Sequence, residues 1–167
     1  METSRINESN DIPPIVAEVI QGLHEFQMVL IDSAGKVSDT NVARQLYTLA
    51  HEHSEVERQL LQMSGTPRPE STREPSPFLN QIYTLGARLR SLGDFSKSQF
   101  LMCEIIQTED RMIRRFHVLI EQITDIKWRR RLARQLDHLL DVRERLSRFG
   151  TCTTTREASR PSTMPYN

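Results

Sequence analysis

Between residues 42 and 63 the seam positions are spaced by alternating steps of four and three: Val42, Leu46, Leu49, His53, Val56, Leu60 and Met63. On a helix that spacing gathers them into one stripe; on a strand it scatters them over both faces. The segment is therefore read as a helix with one covered side. Met102, Ile105, Glu109, Met112, Phe116, Leu119 and Ile123 form a second such seam. Trp128, Leu132, Gln135, Leu139, Val142, Leu146 and Phe149 form a third. A looser stripe runs through Val16, Val19, Leu23, Phe26 and Leu30. No stretch alternates like a half-buried strand, so the chain is expected to be all-α, with four long amphipathic helices packed as a four-helix bundle.

Local signals place the ends. The first helix is expected from about Pro14 to Ser33, because proline suits a first turn and Gly35 is a reasonable stop. The second runs from about Thr40 to Met63, capped by Asp39 or Ser38 and ended by Gly65. TPRPESTREPSP cannot continue it. A short helix covers about Pro77 to Leu92, and two more long ones cover about Ser96 to Ile123 and Asp125 to Phe149, closed by Gly150. Residues 1–11 and 150–167 are polar and aperiodic, which predicts disorder at both ends of a 12–149 bundle. The long connection between the second and third long helices (the B–C crossover) carries the short extra helix. It can traverse the bundle and leave those two long helices parallel.

Composition narrows the function classes. There are 22 Lys+Arg against 22 Asp+Glu, so the chain is not a globally basic nucleic-acid binder, and nucleic acid is not the expected partner. The longest aliphatic run, Met28 to Ile31, is far short of the about 20 residues that span a membrane. METSRINESNDIPP lacks the apolar core of a secretory signal. Cys103 and Cys152 have no metal-ligand spacing and read as two reduced thiols, which places the chain in the cytoplasm.

Three seams are each broken once by a polar residue: His53, Glu109 and Gln135. Counted from the end where the second and third long helices begin, each lies 14 residues in. At about 1.5 Å per residue they share a depth of roughly 21 Å. The plainer reading is a buried hydrogen-bonded layer that fixes register. The alternative is a metal site at His53 and Glu109. A di-iron centre in a bundle draws Glu from two helices and Glu-x-x-His from the other two. Here the second helix offers Ala50-x-x-His53 and the third Ile106-x-x-Glu109, with only His24, Glu25 or His138 in reserve. No di-iron site and no cofactor are expected, beyond one adventitious divalent ion at His53 and Glu109.

Two surface features stand out. Arg111, Arg114, Arg115, Lys127, Arg129, Arg130, Arg131 and Arg134 gather near one end with Trp128 among them. They read first as a solvated face balanced by Asp110, Glu121 and Asp125, and second as a dock for an anion. The short helix carries Phe78, Leu79, Ile82, Tyr83, Leu85, Leu89 and Leu92. That much apolar surface predicts a homodimer.

VAEVIQGLHEF, NVARQLYTLAHEHSEVERQL, CEIIQTEDRMIRRF and RRLARQLDHLLDVRERL, with the short crossover helix, resemble a bacterial ferritin-like family of small stress-associated four-helix-bundle proteins. The family's activity is unassigned. The Glu109-Asp110 and Arg134-Gln135 pairs are its most recognisable spots. Gln27, Ile106 and Arg143 depart from it, standing where the family often has acids or histidines. The resemblance implies a ferritin-like fold and a dimer. The expected function is non-enzymatic, through oligomerisation or a partner, in a stress-related role. The alternatives are a degenerate iron- or manganese-binding protein and an anion or nucleic-acid binder using the basic end.

Overall fold

The computed structural model describes residues 14–65, 74–91 and 98–149. Within them the chain is all-α: α1 (Pro14–Lys36), α2 (Thr40–Ser64), α3 (Pro77–Ser91), α4 (Ser98–Gln122) and α5 (Ile126–Ser147). None is long and apolar enough to cross a membrane. The two termini expected to be disordered, and the stop at Gly150, lie outside the described residues.

Caps set most of the ends. Asp39 accepts from the backbone N–H groups of Asn41 and Val42 at 2.9 and 3.2 Å and opens α2. Gly65 closes it at φ 64, in the left-handed region that glycine enters without a Cβ penalty. Asp125 opens α5 by accepting from Lys127 and Trp128 at 2.7 and 3.2 Å. Its carboxylate offsets the basic first turn, which by itself opposes the helix dipole. One stop is corrected: α1 continues through Gly35 to Lys36. Glycine permits a left-handed turn but does not force one, and the Lys36–Asp32 pair supports the extra turn.

Side-chain pairings fix the directions. Ser76 donates to Glu18, Gln21 to Tyr83, and Gly86 faces Val29, so α3 runs parallel to α1. Arg115 binds Glu18 while Arg88 binds Glu104, so α4 runs antiparallel to α3. Pairs Glu52–His138 and Gln59–Gln135 set α2 antiparallel to α5, and α5 returns along α4 after a short link. Hence α2 and α4 run the same way, and the connection through α3 crosses from one end to the other.

The core is one aliphatic cluster drawn from all five helices. The stripes on α1, α2 and α4 are buried as their spacing predicts, with only Met63 and Ile123 half-buried at the ends. The α5 seam is corrected. It passes through Leu132, Leu136, Leu139, Val142 and Leu146, while Gln135 sits half-buried on its flank and Phe149 is exposed. Leu136 and Gln135 fit the helical repeat almost equally well, and burying the isobutyl group avoids desolvating an amide.

Helix α3 also departs from expectation. Its Leu79, Ile82, Leu85 and Leu89 are buried within the chain, so the apolar surface that suggested a dimer is largely covered. Leu92 lies outside the described residues. The Phe78 ring of α3 sits over Gly22: a Cβ there would stand 2.6 Å from Phe78 Cε1, so the ring would have to shift. Cys103 is half-buried on α4 and disulfide-bonded, which removes the inference from reduced thiols to a reducing compartment. Cys152 lies outside the described residues.

Candidate functional site

His53 and Glu109 meet in the middle of the core. Their side chains are both 0% exposed, and Nε2 stands 2.8 Å from Oε2. The approach is not an aligned hydrogen bond: both ring nitrogens and both carboxylate oxygens lack one. Buried polar atoms without aligned partners in a low-dielectric setting are a costly arrangement, tolerated only where the surrounding packing holds it. Phe26 of α1 lies against the imidazole with ring centroids 5.1 Å apart.

Gln135 does not join this layer. Its amide donates to Gln59 on the flank between α2 and α5, and a turn further along His138 pairs with Glu52. The other candidate ligands are scattered in the same way. His24 Nδ1 is 3.6 Å from Glu57 Oε1, and Glu25 faces a groove between α1 and α3. Among the described residues no three His, Cys, Asp or Glu side chains converge to hold a metal ion. His53 and Glu109 alone offer a divalent ion two donors.

Glu57 is the buried ionisable residue that the sequence reading missed. The signal was present: Glu57 follows His53 by four residues and so shares its face. Asp110 is bound by Arg143 through Nε at 2.8 Å and Nη2 at 3.2 Å, and Glu18 is gripped by Arg115. These bidentate pairs tie α4 to α5 and α4 to α1.

The basic cluster divides. Arg115 faces Glu18, and Arg129 donates to the carbonyl of Ile123 at the end of α4. Arg111 lies in a groove beside α3 with Arg88 and Glu104. Arg131 and Arg134 turn towards α2. There they line an open groove of about 620 Å³ with Arg58, Trp128 and the half-buried Gln59–Gln135 amide pair, with Gln62 and Met63 completing it. The Arg131 guanidinium lies over the Trp128 ring, its carbon 5.7 Å from the centroid. Arg58 is bound to Glu55, which holds the Glu55 carboxyl down at about 2. No carboxylate lines the groove. Arg131 and Arg134 are exposed, as a solvated face requires, but the acids expected to balance the cluster are not its partners: Asp110 is bound by Arg143.

Comparison with protein-family models, with curated proteins and with solved structures returned no match.

Proposed function

We propose that the chain is a non-enzymatic, ferritin-like four-helix bundle of α1, α2, α4 and α5, with α3 in the crossover, that acts by self-association. The parallel course of α2 and α4 supports the bundle reading. The sealed His53–Glu109 pair supports a structural core, since no substrate can reach a group with no solvent exposure. The sequence resemblance supports a stress-related role.

The observation that carries self-association is the groove between α1 and α3, of about 290 Å³. Its floor is apolar, with Val29, Ile82 and Leu89, and Met28 stands exposed at its edge. Its rim carries Glu25 and Asp32 on α1 and Arg90 on α3. A two-fold axis makes one patch face its own copy, so a rim with both signs can pair acids of one copy with the arginine of the other. The apolar face of α3 is buried within the chain, and the remaining seam with α1 is the part a second copy would cover.

Sedimentation at micromolar concentration tests this. A mass of twice 19.4 kDa is expected for the native chain, and one chain for Met28→Glu. Arg90→Glu should also give monomer, and adding Glu25→Arg should restore the dimer. A clean monomer for the native chain sinks the proposal.

A further inference from the structure

We propose that the groove between α2 and α5 binds a nucleotide, either free or within a single strand of nucleic acid. The inference does not depend on self-association, which concerns the separate groove between α1 and α3. It rests on the company Arg131 and Arg134 keep. Among the described residues Arg134 and Gln62 have no hydrogen-bond or ionic partner, and Arg131 contacts only the Trp128 ring. Three guanidinium groups therefore share a groove without a lining carboxylate, and only that of Arg58 is neutralised, by Glu55 outside it.

Each part suits one part of a nucleotide. Arg134 and Arg58 approach from different helices, so a phosphate between them would take charge-assisted hydrogen bonds from both sides. Arg131 and Trp128 are both planar groups, and bases stack on aromatic rings and on guanidinium planes alike. Gln62 and Gln135 supply donors and acceptors for a base edge. A volume of about 620 Å³ falls within the about 300–1,000 Å³ of small-molecule sites. An acidic peptide would use the arginines but leave the Trp128 ring and the amides without a role, so the observations favour the nucleotide.

Trp128 is the chain's one tryptophan, so its fluorescence reports the groove alone. The full chain is titrated with ADP, inorganic pyrophosphate, a single-stranded adenine hexaribonucleotide and polyglutamate. ADP is expected to quench Trp128 saturably, and pyrophosphate to displace it with little quenching of its own. Arg134→Ala should weaken ADP about tenfold, the loss of one charge-assisted contact. Arg130→Ala, which removes an exposed charge outside the groove, should leave ADP binding unchanged and serves as the control. Tighter binding of ADP than of the hexanucleotide marks a free nucleotide as the ligand, and the reverse order marks a single strand. No saturable quenching by ADP or hexanucleotide up to about 1 mM would overturn the proposal. So would equal losses in Arg134→Ala and Arg130→Ala, or polyglutamate displacing ADP as well as pyrophosphate does.

Discussion

The α1–α2 side and the α2–α5 side share a helix yet are built differently. Helix α1 buries about half its residues, including Val19, Ile20, Leu23, Phe26 and Leu30, and packs closely on α2. Helix α5 buries a single line of five apolar residues and meets α2 less closely. Where α1 meets α2 the centre is mostly hydrocarbon, with His53 against Phe26 and the buried Glu57 beside His24. Where α5 meets α2 the flank is polar, Gln59 to Gln135 and Glu52 to His138, and opens into the arginine-lined groove. A narrow apolar stripe holds a helix by its centreline only. Its flanks then remain free for polar side chains and for a ligand.

The largest effect should come from the sealed core. Glu109→Ala should destabilise the fold by about 3 kcal/mol, because His53 would be left buried without its partner. Glu109→Gln should lose less, since the amide keeps an acceptor towards the ring. Urea unfolding of both variants measures this; a loss under about 1 kcal/mol in Glu109→Ala would show that the pair is not energetically coupled.

A smaller contrast concerns the α5 stripe. Leu136→Ala should lose about 2–3 kcal/mol, as buried leucines do, and Gln135→Ala less than about 1 kcal/mol. The reverse order in thermal unfolding would put Gln135 back on the buried seam and close the polar flank.

The smallest effect lies on the outer face of α2. The hydrogen bond from Arg58 holds the Glu55 carboxyl at about 2, below its ordinary 4.5, with Gln59 adding to it. A depressed carboxylate contributes stability that is present above 4.5 and fades as pH falls towards 2. The Glu55 side chain is 41% exposed, so solvent screens the pair and that contribution is slight. A carboxyl-carbon NMR titration should place its midpoint near 2 in the native chain and return it towards 4.5 in Arg58→Ala. An unchanged midpoint in the variant would assign the shift to another cause.

Much of this architecture was legible before any coordinates. The three-and-four spacing placed the four long helices, because a stripe of that period gathers on one face of a helix. Asp39, Gly65 and Asp125 marked their ends through groups that only helix termini need. The meeting of His53 with Glu109 was also legible, since the seam identified the face and residue counting gave the depth. Tertiary structure decided the rest. It chose Leu136 over Gln135, because the repeat allows both and burying an amide costs more. It laid α3 against α1 through Gly22, which the spacing on α3 could not reveal. It divided the arginines of α4 and α5 among an ion pair, a helix end and a groove, because side chains point around each helix in directions that only the packed partner helices make unequal.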